Sequence, residues 1–202
     1  MTPVAIVPTD ARYPQRLQER LGKDAPRQLI AMGNLDLLDL PTTALFCSAN
    51  APGHAILAAH DQAVRWRDEG RCVIGGFHSP LEKECLRILL RGRQPVILCP
   101  ARGLEGMRLP ADLKKPLTDD RLLVLSPFSA SEKRVTKYLA MDRNRFVVAL
   151  ADEVVFAHIA PGGQLDKLSQ IIADGLLPGS RSHRSSGASG AREPPRPNRR
   201  AP

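Results

Sequence analysis

The residues of this 202-residue chain that could do chemistry sit in short loops that follow apolar runs. Gly75-Gly76-Phe77-His78-Ser79 follows the run Cys72–Ile74, and Glu82 stands one helical turn beyond His78. Glycines let a ligand approach the backbone, and free N–H groups at a helix start attract anions. His78 and Glu82 could also work as an acid/base pair. The same letters have a plainer reading. Ser79-Pro80-Leu81-Glu82 is S-x-x-E with proline at the first helical position, which is a capping box. It accounts for Ser79 and Glu82 without catalysis, and no nucleophile or third group accompanies them. The chain has no G-x-S-x-G elbow, no Walker A loop and no G-x-G-x-x-G. No catalytic residue is therefore assigned. Gly75 to Ser79 is read as one wall of an anion-binding site, with His78 as a contact.

Four more loops share that character. They are Ser48-Ala49-Asn50, Pro100-Ala101-Arg102-Gly103, Ser126-Pro127-Phe128-Ser129 and Pro161-Gly162-Gly163-Gln164. Arg102 could grip a phosphate with two parallel hydrogen bonds. The stretch "MDRNRFVVALAD" adds Arg143, Asn144 and Arg145 on a predicted helix. Two arginines two residues apart point about 200° apart on an ideal helix, so one of them at most faces a given ligand.

These loops need elements to hold them. Strand-like runs are Ala44–Cys47, Cys72–Ile74, Pro95–Cys99, Leu122–Leu125 and Glu153–Ile159. Helical patterns cover Pro52–Glu69, Ser79–Arg91, Ser131–Ala151 and Gly163–Leu177. Short apolar strands without strict polar alternation, separated by helices, predict a parallel sheet covered on both faces. The fold class is α/β, a Rossmann-like doubly wound sheet, mainly parallel. Ligands of such sheets bind beyond the carboxyl ends of the strands, where all five loops would lie. The division expected is an N-terminal appended segment (1–42), the Rossmann domain (43–177) and a disordered tail (178–202). In the first, Tyr13-Pro14 opens a short helix with Leu17 and Leu21 on one face, and Gln28–Met32 is extended up to the turn Gly33-Asn34.

Composition narrows the function classes. Net charge is +8, but the tail from Pro178 carries six arginines against one acid, Glu193, and so holds +5 of it. The eight aromatic residues do not alternate with basic ones as a stacking platform for single strands would. The four cysteines form no C-x-x-C pair and no zinc-like cluster, so they read as buried thiols of a reducing compartment. No cofactor and no metal is expected. No apolar run approaches membrane-spanning length and no secretory leader is visible, so the expected location is cytoplasmic.

The ordered set of motifs resembles the DNA-processing protein DprA (Smf) family, within the wider DprA/LOG superfamily, over roughly Tyr13 to Lys167. It comprises Tyr13-Pro14 with Leu17, Asp24-Ala25-Pro26, Gly33-Asn34, Gly75-Gly76 with an acid at Glu82, Arg102-Gly103-Leu104, Arg143-Asn144-Arg145 and Gly162-Gly163-Gln164-Leu165. The resemblance implies single-stranded DNA held on the loop rim, its presentation to a RecA-type recombinase in natural transformation, a homodimer, and no established catalysis. It places DNA phosphates near Ser48, Asn50, Gly75, Gly76, His78, Ser79, Arg102, Gly103, Arg143, Asn144, Arg145, Gly162, Gly163 and Gln164. The chain departs from the family pattern at Cys47-Ser48-Ala49-Asn50, where an arginine that grips phosphate is usual. Two alternatives share the same rim. One is a binder or sensor of a nucleotide-like ligand. The other is a LOG-like hydrolase of nucleoside monophosphates; its P-G-G-x-G-T-x-x-E pattern loses both Thr and Glu at Pro161–Ser169, which leaves Glu82 or Glu84 as substitute base.

Overall fold

The computed structural model describes residues 2–175 and, for the backbone alone, the strand at 181–184. In chain order the elements are β1 (Val4–Ile6), α1 (Gln15–Leu21), β2 (Leu29–Gly33), β3 (Thr42–Cys47), α2 (Gly53–Asp68), β4 (Cys72–Gly75) and α3 (Pro80–Leu90). Then follow β5 (Val96–Leu98), α4 (Ala111–Thr118), β6 (Leu122–Ser126), α5 (Lys137–Leu150), β7 (Glu153–His158), α6 (Gln164–Ala173) and β8 (Arg181–Arg184). Single 3-10 turns at Gly22–Asp24 and Leu35–Asp39 complete the N-terminal part.

The strands form one sheet in the order β1-β2-β6-β5-β4-β3-β7-β8. From β6 to β8 every pairing is parallel, and β1 and β2 close the other edge antiparallel. All six residues of β3 are buried. They alternate between two layers: Ala44 and Phe46 join one core, Leu45 and Cys47 the other. The first core is filled by Leu17 of α1, Phe146, Val147 and Leu150 of α5, and Leu165 and Leu168 of α6. The second takes Ala59, Ala63 and Trp66 of α2, Cys85 and Leu89 of α3, and Leu113 and Leu117 of α4. Two helical layers on a largely parallel sheet are the doubly wound arrangement expected from the sequence.

Several details depart from the sequence reading. The third helical pattern runs from Ser131, but the helix starts at Lys137, where the Thr136 side chain accepts the Leu139 N–H. Helix α4 is an addition, with Pro116 inside it. The N-terminal segment, expected as an appended element, adds β1 and β2 to the edge of the same sheet, β2 pairing with β6. Within the segment read as a disordered tail, Arg181–Arg184 runs beside β7 as β8; the other residues of that segment lie outside the described ones.

The order of strands reverses between β3 and β7. On one side the chain winds from β3 through β4 and β5 to β6; on the other it continues with β7. At such a reversal the loops leaving the two strands part in opposite directions and open a crevice at their carboxyl ends. No helix among the described residues is long and apolar enough to cross a membrane.

Candidate nucleic-acid interface

A cleft of about 610 Å³ lies at that reversal. The loop after β3 gives Ser48, Ala49 and Asn50, and the start of α3 gives His78, Ser79 and Glu82. Lys137, Ala140, Arg143 and Asn144 come from α5, and Gly162, Gly163 and Gln164 from the loop before α6. Nine of the fourteen residues expected at the rim thus face one opening: Ser48, Asn50, His78, Ser79, Arg143, Asn144, Gly162, Gly163 and Gln164.

Glu82 organises the floor. It is 5% exposed. One carboxylate oxygen accepts the Cys47 N–H at 2.8 Å; the other accepts the N–H groups of His78 at 2.8 Å and Ser79 at 3.2 Å. The Ser79 hydroxyl in turn accepts the Glu82 N–H at 3.3 Å, so the capping box is formed as expected. The bond to Cys47 goes beyond a cap. It ties the end of β3 to the start of α3, so one carboxylate serves two loops.

Arg143 lies beside this acid and is also 5% exposed. Its Nη1 donates to the Cys99 carbonyl at 2.9 Å and its Nε to the Asn144 side chain at 2.8 Å. Burial pulls its pKa down, while the negative charge of Glu82 works the other way. A guanidinium remains protonated under either influence. Gly76 makes this seat possible, since a Cβ there would overlap the Arg143 guanidinium. Gly75 and Gly76 therefore lie beneath the cleft and do not line it.

The remaining expected residues are placed elsewhere. Arg145 faces the other side of α5, in a groove of about 370 Å³ with Tyr138, Asp142 and Phe128, as the helical geometry of the pair predicts. Arg102 turns back on its own loop: its Nε donates to the Gly103 carbonyl at 3.4 Å, and its carbonyl accepts the Ser126 hydroxyl at 2.7 Å. Gly103 is pressed against the Ser129 carbonyl, with no room for a side chain. Its small size serves contact between two loops, because β5 lies two strands away from the reversal. Lys137 is the cleft residue that sequence reasoning missed. The signal was Thr136 as N-cap with the helix starting just after it.

Carboxylates also hold amides at the other loops. Asp166 accepts the Gly162 N–H at 2.8 Å, and Glu132 accepts the Ser129 N–H at 2.7 Å. The Ser48 hydroxyl accepts the Ala160 N–H at 2.9 Å, and Gln164 donates to the Lys137 carbonyl at 3.0 Å, which joins the β3, β7 and α5 sides of the cleft. Toward the opening stand the side chains of Lys137, Asn50 and His78 and the first amides of α6, whose N-cap Gly163 offers no side-chain acceptor; Arg143 lies buried beneath them.

Solved structures share this architecture. DNA processing protein A (DprA) from Streptococcus pneumoniae matches with a TM-score of 0.73 and 22% identity over 92% of this chain and 63% of that one. DNA processing protein A from Helicobacter pylori, described for its single-stranded DNA binding mode, matches with a TM-score of 0.65 and 16% identity over 88% of this chain and 90% of that one. The chain thus spans under two thirds of the pneumococcal protein. No curated protein matches it. The sequence profile of the DNA recombination-mediator protein A family matches residues 4–165, and the chain belongs to that family.

Proposed function

We propose that the cleft between the β3 and β7 loops binds single-stranded DNA and performs no chemistry on it. The observation that carries this reading is the charge left over in the cleft. Its lining has one carboxylate, Glu82, and both oxygens of that group are held by backbone amides. Lys137 and Arg143 face the same opening. The cleft can thus neutralise phosphates of a flexible strand, with Asn50, Asn144 and His78 as further polar contacts. A buried carboxylate fixed by three N–H groups is poorly disposed to act as a base, which supports binding without hydrolysis. The description of the Helicobacter protein as a binder of single-stranded DNA points the same way. Delivery of the strand to a RecA-type recombinase in natural transformation, and action as a homodimer, follow as the family's expected setting.

The test is fluorescence anisotropy with labelled oligo(dT) at two salt concentrations. It compares the full chain with a chain ending at Leu177, so that the arginines of the tail are separated from the cleft. Salt-sensitive binding by the shorter chain is the expected result. Its absence would remove the cleft as the DNA site. The nucleotide-binding alternative is checked by a thermal-shift panel of nucleotides, with no shift expected.

A further inference from the structure

We infer that Glu82 is a built-in occupant of the place where a phosphate monoester would bind, so the cleft takes the middle of a strand and is indifferent to its phosphorylated end. This rests on the DNA-binding reading above. Loop amides that converge from two strand ends onto one point form an anion-binding concavity. Here the amides of Cys47, His78 and Ser79 converge in that way, and the anion they hold is the protein's own. A capping box alone would engage only the amides at the start of α3. The third amide, from the end of β3, makes the carboxylate the shared ligand of both loops. Arg143, buried beside it, supplies the positive partner that a bound phosphate would otherwise draw.

Two consequences follow for the ligand. A terminal phosphate carries up to two negative charges and three acceptor oxygens, and needs several donors at once. Where the loops after β3 and β4 meet, the amide donors are used by Glu82, and a second anion beside it would be repelled. An internucleotide phosphodiester carries one charge and can be met by a single side-chain contact from Lys137 at the mouth, with the buried Arg143 beneath it. Glu82 is therefore a specificity-determining residue, acting by exclusion.

The experiment titrates oligo(dT) bearing a 5′-hydroxyl or a 5′-phosphate, and separately inorganic phosphate, against the full chain, Glu82→Ala and Glu82→Gln, with Glu84→Gln as a control outside the cleft. The unaltered chain is expected to bind both strands equally and to show no saturable stabilisation by phosphate. Glu82→Ala is expected to melt lower without ligand, to be stabilised saturably by phosphate, and to prefer the 5′-phosphorylated strand about tenfold. Glu82→Gln, which loses the charge and keeps the size, moves the same way by about threefold. A preference for the 5′-phosphate in the unaltered chain overturns the inference. So does the absence of any gain in a folded Glu82→Gln, which also decides the matter if Glu82→Ala fails to fold. If neither strand binds the unaltered chain, the DNA reading falls, and the phosphate titrations alone still decide the role of Glu82.

Discussion

The sheet has a concavity at each end, and the two are of similar size. The cleft at the carboxyl ends of β3 and β7 encloses about 610 Å³, and a hollow at the amino ends of β3, β4 and β7 about 680 Å³. Both hold arginines and acids. They differ in what the acids face. At the amino end, charge meets charge: Arg71 donates to Glu153 at 2.8 Å and lies 3.5 Å from Glu69, and Arg16 lies 3.3 Å from Asp152. At the carboxyl end, Glu82 and Asp166 spend their oxygens on backbone amides, which carry no net charge. Lys137, on the exposed first turn of α5, is left to face outward, with Arg143 buried beneath the opening. Size does not distinguish the two hollows; the number of carboxylates that line them, and the partners those carboxylates take, do.

Raising the pH should disturb both ends together, with the largest effect. Cys47 and Cys99 lie at the carboxyl end and Cys72 at the amino end, and burial pushes each of these thiols, and that of Cys85, up to about 12. A thiol is neutral when protonated, and an unfolded chain releases the proton near 9. Above that pH the unfolded state holds fewer protons than the native one, so stability falls as pH rises from 9 toward 12 and is fully retained below 9. Urea unfolding at pH 8 and pH 10.5 should show a much lower midpoint at the higher pH. An unchanged midpoint would mean that the thiols are reached by water.

Arg143→Ala should break the comparison on one side. It removes the guanidinium that sits under the opening and leaves Glu82 without its positive neighbour. The expected cost is about 3 kcal/mol in chemical unfolding and about tenfold in strand affinity. Lys137→Ala should be milder, with strand affinity down about threefold and the slope of log K against log salt reduced by about 0.7. It lies on the exposed first turn of α5, so its melting temperature should stay as it was. The smallest effect is expected at the other end. Arg71→Ala loses partly exposed ion pairs, costs about 1 kcal/mol or less, and leaves anisotropy titrations within about twofold of the unaltered chain. Loss of DNA binding on that substitution would reverse the assignment of the two hollows.

How much of this was legible in the sequence varies with how local the cause is. The strands from β3 to β7 fall within two residues of the apolar runs, because burial on both faces writes itself into consecutive positions. The opposed directions of Arg143 and Arg145 followed from helical geometry alone. The cap made by Ser79 and Glu82 was readable for the same reason. Its extension to Cys47 was hidden, since nothing near Glu82 marks a partner on another strand. Arg102 and Gly103 had the right composition for the rim, but the position of β5 in the strand order decides where they stand, and composition carries no strand order. Helix α4 was masked by Pro116, which reads as a breaker although it falls in the second half of the helix.

The pairing of β2 with β6 has a consequence for how the protein is made. Ile30 pairs with Ser126, and Gly33 with Leu123. A ribosome delivers β2 long before its neighbour β6 exists, so early in synthesis the edge of β2 that will meet β6 is bare. That edge should be a target for chaperones on the nascent chain until β6 emerges. The slow steps of refolding should likewise be the long-range closures, residues near 30 against residues near 126 and residues near 43 against residues near 153.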